Sequence, residues 1–160
     1  MKKAIINILP ILFLVFLLGC GEKNVDAPEI NNMAFQQEVL ESPVPVLVVF
    51  CDDELWNRKA SLWSRTQPSP TILAVKEFIR EEKYKDEVKF RKYIVPEGSH
   101  NEATYSFDKD PLCREFNIKW LPTVIIFNNG SVVKKLEGGG CSLNDSKEAI
   151  EGVLKQAGEL

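Results

Sequence analysis

The sequence predicts an α/β domain in three layers, with a central mixed sheet flanked by helices. Three observations carry that prediction. The run Val44-Pro45-Val46-Leu47-Val48-Val49-Phe50 is apolar at consecutive positions, as expected of a strand covered on both faces. Asn129-Gly130 separates two strand-like segments, 120–127 and 131–138, and is a strong type I′ hairpin signal. Helix-spaced apolar stripes lie between the strand-like runs, and that alternation favours a sheet with helices on both sides.

Taken in order, the elements follow from local signals. Asn31 or Asn32 can cap a short helix carrying Phe35, Val39 and Leu40. The 44–50 strand leads into Cys51-Asp52-Asp53-Glu54, where a helix begins with Leu55, Leu62, and Trp56 and Trp63 on it. Gln67-Pro68-Ser69-Pro70 interrupts that helix, and Ser69-Pro70 supplies a cap and first turn for another. Ile72, Leu73, Val75, Phe78 and Ile79 give this second helix its apolar stripe. Residues 88–95 read as a strand, 96–110 as a long loop and 111–117 as a short helix. Ser142 or Asn144 can cap a last helix carrying Ala149, Ile150, Val153, Leu154 and Ala157. The mixed charges of 83–92 read as a solvated face.

The N-terminus is of a different kind. Met1-Lys2-Lys3 precedes an apolar run to Leu18 that is short for a bilayer span of about 20 residues and fits a secretory signal. It closes on Leu17-Leu18-Gly19-Cys20, which resembles the bacterial lipobox. That resemblance implies a signal peptide over 1–19 and a diacylated Cys20, the acyl chains (palmitate among them) anchoring the chain to an envelope membrane. Residues 20–32 then form the lipidated cysteine and a polar tether, and 33–160 the domain. Removing 1–19 takes away two lysines and leaves 18 basic against 23 acidic residues, a net of −5. Nucleic acid would want a basic face, so none is expected as a partner.

The domain's motifs resemble the thioredoxin family: the 44–50 strand, an active-site turn, Trp120-Leu121-Pro122-Thr123 opening a strand, the Asn129-Gly130 hairpin and a closing Gly138. The resemblance covers 33–158. In that family the turn carries Cys-x-x-Cys at the start of a helix; counted from Phe50, those positions here are Leu55, Trp56, Asn57 and Arg58. The position of the family's buried acid is Val49. Dithiol exchange needs a thiolate stabilised at a helix start and a second thiol to resolve the mixed disulfide. All three roles are vacant, and the carboxylates of Asp52, Asp53 and Glu54 repel a thiolate. The resemblance therefore implies a redox-inactive domain that binds or scaffolds a protein partner. The other reading is a divergent thiol-disulfide oxidoreductase or thiol enzyme using Cys51 or Cys141.

With Cys20 assigned to lipid, Cys51, Cys113 and Cys141 remain, an odd number. A Cys51–Cys141 or Cys113–Cys141 disulfide is one arrangement; small buried residues are the other. In the family, the proline at the position of Pro122 is cis and its neighbouring backbone pairs with an extended peptide. The resemblance thus implies a binding surface of Leu121, Pro122 and Thr123, with Leu55 and Trp56 beside it. The rings of Trp56 and Trp120 fit either an exposed apolar patch or the core. His100, the only histidine, reads as a solvated loop residue, and Arg58 as an ion-pair partner of Asp52 or Glu54. No cofactor or metal site is expected, since there is no phosphate-binding glycine loop and no zinc-type ligand set.

Overall fold

The computed structural model describes residues 26–58, 67–138 and 143–158. Four strands form one mixed sheet in the order β2-β1-β3-β4: β1 is Val46–Cys51, β2 Lys89–Ile94, β3 Thr123–Asn128 and β4 Ser131–Glu137. β1 runs parallel to β2, from Val46 opposite Lys89 to Cys51 opposite Ile94, and antiparallel to β3, with Phe50 opposite Thr123. β3 and β4 are the hairpin, joined at Asn129 (φ +49°) and Gly130 (φ +73°), the two positive values that a type I′ turn requires. Every residue of β1 is buried, as its unbroken apolar run foretold.

The sheet's period of two sorts the core into two layers. On one face Leu47, Val49, Cys51, Val124 and Ile126 meet Trp56 and the apolar stripes of α3 (Pro70–Arg80) and α5 (Leu143–Gly158). On the other, Val46, Val48, Phe50, Tyr93, Ile125 and Phe127 meet α1 (Asn32–Phe35, continued by a wider turn over Gln36–Leu40) and α4 (Pro111–Glu115). Aromatic edges lock this second layer, with the Phe35 ring 5.7 Å from Phe127 and Phe116 5.2 Å from Phe127. The caps fall at chemically suitable residues. Asn31 Oδ1 accepts from the Met33 and Ala34 amides, and Asp110 Oδ1 accepts from the Cys113 amide. Pro70 opens α3, but the Ser69 hydroxyl makes no capping bond.

Two expectations are corrected. The stretch read as tether up to residue 32 joins the domain at its C-terminal end. Ala27 and Ile30 are buried, Glu29 bridges Lys92 in parallel, and the Ile30 N–H donates to the Lys92 carbonyl while Pro28 accepts from the Lys92 N–H. These residues cover the outer edge of β2, which would otherwise expose a row of unpaired backbone groups. The reading of 83–92 as a solvated face fails at Lys92, which is buried. Its position in β2 points it to the same face as Phe90, and the strap brings it a carboxylate.

Candidate functional site

The candidate site is the end of the sheet where β1 stops and β3 begins. Past Cys51 the chain forms α2, Asp53–Asn57, and leaves it at Arg58 in an extended conformation. Asp52 caps this helix, its Oδ1 accepting from the Leu55 amide at 2.6 Å. Leu55 and Arg58 hold the two positions where the resemblance puts sulfurs, so the amide best placed to stabilise an anion there is already taken by the chain's own carboxylate. Arg58 pairs with Glu54 at 2.6 Å, one of the two partners expected for it. Leu55 is half-buried against the core, and Val49, at the family's acid position, is fully buried.

Trp56 is core. Its indole is 2% exposed, which removes it from any exposed binding patch. What surrounds it is charged. The indole N–H donates to Asp26 Oδ1 at 2.9 Å, and Lys92 Nζ reaches both Asp26 oxygens at 2.9 and 3.2 Å. Lys76 from α3 lies 4.7 Å and Lys92 5.4 Å from the ring centre, both in cation–π range, and Lys76 also donates to the Trp56 carbonyl. Burial works against the Asp26 carboxylate, but the hydrogen bonds from Lys92 and Trp56 outweigh it and hold Asp26 below the usual aspartate range. Burial pulls Lys76 below the usual lysine range, with Asp26 partly opposing it. The sequence pointed to none of Asp26, Lys76 and Lys92: Asp26 sits in a short polar tract, and the lysines differ in no local pattern from their solvated neighbours.

The Trp120-Leu121-Pro122-Thr123 segment is the other half of the site. The Leu121–Pro122 bond is cis, and Pro122 and Thr123 are buried. Thr123 Oγ1 donates to the Trp120 carbonyl at 2.6 Å, and the Gly138 N–H donates to the Pro122 carbonyl at 2.9 Å. Among the described residues neither the N–H nor the C=O of Leu121 has a hydrogen-bond partner. Trp120, next to it, is 59% exposed. Of the residues expected here, the structure brings Leu121, Pro122 and Thr123 together with an outward-facing Trp120, and turns Trp56 inward.

The thiols are separated. Cys51 and Cys113 are free and buried, and belong to the core layers on opposite faces of the sheet. Burial, with Asp52 adding to it, pushes the Cys51 thiol up to about 12, so at neutral pH it is fully protonated. Burial and Asp110 raise Cys113 as well. Cys20, Leu62, Trp63 and Cys141, with the disulfides that Cys141 would enter, lie outside the described residues. Among those residues no three His, Cys, Asp or Glu side chains cluster as metal ligands, and no helix is long and apolar enough to cross a membrane.

No family model and no curated protein matches the chain. Among solved structures, thioredoxin f2 of Chlamydomonas reinhardtii superimposes with a TM-score of 0.52 at 16% identity, over 82% of this chain and 95% of that one. Its likeness, with the mixed four-stranded sheet and the helices on both faces, shows that this chain has a thioredoxin-like fold.

Proposed function

We propose that this chain is an envelope lipoprotein, anchored through acyl chains on Cys20, whose thioredoxin-like domain binds a protein partner in extended conformation without redox turnover. The observation that carries this reading is the exposed Trp120 beside the Leu121 backbone, which has no partner among the described residues. An extended peptide laid along this segment would satisfy the Leu121 N–H and C=O by strand addition, and Trp120 would supply apolar contact. Neither interaction needs a thiol. Three observations support the absence of redox turnover: Leu55 and Arg58 stand where the resemblance puts sulfurs, Asp52 occupies the Leu55 amide, and Cys51 is buried and protonated.

The competing reading is a thiol enzyme using Cys51 or Cys141. Reduction of insulin disulfides, followed with the wild type, Cys51→Ser and Cys141→Ser, separates the two. The expected result is no turnover above the uncatalysed dithiothreitol rate in any of the three. Turnover that disappears in either serine variant overturns the redox-inactive reading.

A further inference from the structure

The strap fixes where the chain enters the domain. Residues 26–30 lie along β2 as an added edge, and the strap is tied there by two backbone hydrogen bonds to Lys92, by the Asp26–Lys92 ion pair and by the Trp56 indole. The sheet thus reads strap, β2, β1, β3, β4 from one side to the other. Entry is at the strap side, and the exposed Val132 and Val133 of β4 are at the far side.

We propose that the strap–β2 edge is the membrane-facing side of the domain, resting on a phospholipid surface and holding the β4 edge away from it. This rests on the lipoprotein reading above, which places the acyl chains on Cys20. From Cys20 to Asp26 are six residue steps, which span at most about 21 Å even when fully drawn out. Four inter-strand spacings separate the strap from β4, or about 19 Å. To set β4 on the bilayer, the chain would have to climb nearly its whole length while skirting the body of the domain. With the strap edge down, the same chain needs almost none of it. The edge offers a surface suited to lipid headgroups. An open cavity of about 230 Å³ lies beside Asp26, Ala27 and Pro28, floored by Ile79, Val88 and Phe90 and rimmed by Lys85 and Lys89. Among the described residues that line it, the one carboxylate is Asp26, paired with Lys92. A headgroup phosphate would meet Lys89 there.

The test uses the full chain, acylated and inserted in native membranes. A benzophenone amino acid is placed at one position at a time, as Lys85→p-benzoylphenylalanine, Lys89→p-benzoylphenylalanine, and the same substitution for Val132 or Lys134, and phospholipid adducts are counted after irradiation. Adducts are expected from 85 and 89, with only the unirradiated background from 132 and 134. Inserting a flexible segment of twenty residues after Gly21 should abolish that difference. Adducts from 132 and 134 instead, or from none of the four, overturn the orientation while the chain still sediments with membranes. A wild-type chain that does not sediment with membranes, or a Cys20→Ala chain that still does, overturns the lipoprotein reading and the orientation with it.

Discussion

At the scale of single residues, the Asp26–Lys92 pair is asymmetric in a way that can be measured. Lys92 has an 11% exposed side chain, whereas that of Asp26 is 62% exposed. Removing the carboxylate leaves a charge buried, and removing the lysine leaves a carboxylate still in water. Asp26→Asn keeps an oxygen for the Trp56 indole and should destabilise the domain by about 1 to 2 kcal/mol in urea unfolding. Lys92→Met, an apolar group of similar length, should fall within about 1 kcal/mol of the wild type in either direction. The sign with pH follows from Asp26 being held below its ordinary value of 3.8 in the folded chain. Its contribution is complete above the unfolded value and is lost as pH falls through the lowered one. The gap between wild type and Asp26→Asn should therefore be full at about pH 6 and close under strongly acid conditions. A gap that stayed constant from pH 6 to pH 2 would show that the ion pair does not cause it.

At the scale of elements, the hairpin and α1 depend on one another. A Cβ built on Gly130 would lie 2.6 Å from the Leu40 carbonyl oxygen at the end of the helical segment, and the backbone there has φ +73°. Gly98 also has a positive φ, +78°, but nothing lies within 4 Å of its Cβ position. Gly98→Ala should therefore cost backbone strain alone, about 1 kcal/mol, and Gly130→Ala about 2 to 4 kcal/mol because carbonyl and methyl must move apart. Equal losses in thermal or urea unfolding would mean that Leu40 yields freely. The hairpin itself was legible in Asn129-Gly130, as β1 was in its apolar run. These signals are local, and local chemistry settles them. The strap was not legible. Residues 26–30 carry no period long enough to announce a strand, and Glu29 and its partner Lys92 are 63 residues apart. The same limit hid the inward turn of Trp56: α2 has five residues, too few for periodicity to say which side faces the sheet. Trp120 fitted core and surface equally well by sequence, and only the folded chain shows its ring exposed.

At the scale of the whole molecule, the fold holds two different environments at one end of the sheet. Around Trp56 the chain has closed the space: Asp52 occupies a helix amide, two lysines and Asp26 enclose the indole, and the nearby thiol is buried and protonated. Around Leu121 the backbone groups have no partner among the described residues, and an aromatic ring stands in solvent. The proposed absence of thiol chemistry and the proposed peptide-binding edge are compatible because different residues would carry them. The most direct measurement is photo-crosslinking from Trp120→p-benzoylphenylalanine in native membranes, with Tyr105→p-benzoylphenylalanine as the exposed control, repeated in a Cys51→Ser, Cys141→Ser background. The predicted result is one defined protein adduct from position 120, absent from 105 and of equal yield with and without the two cysteines. No adduct from 120, or one that vanishes with the cysteines, would contradict thiol-independent partner binding at this edge.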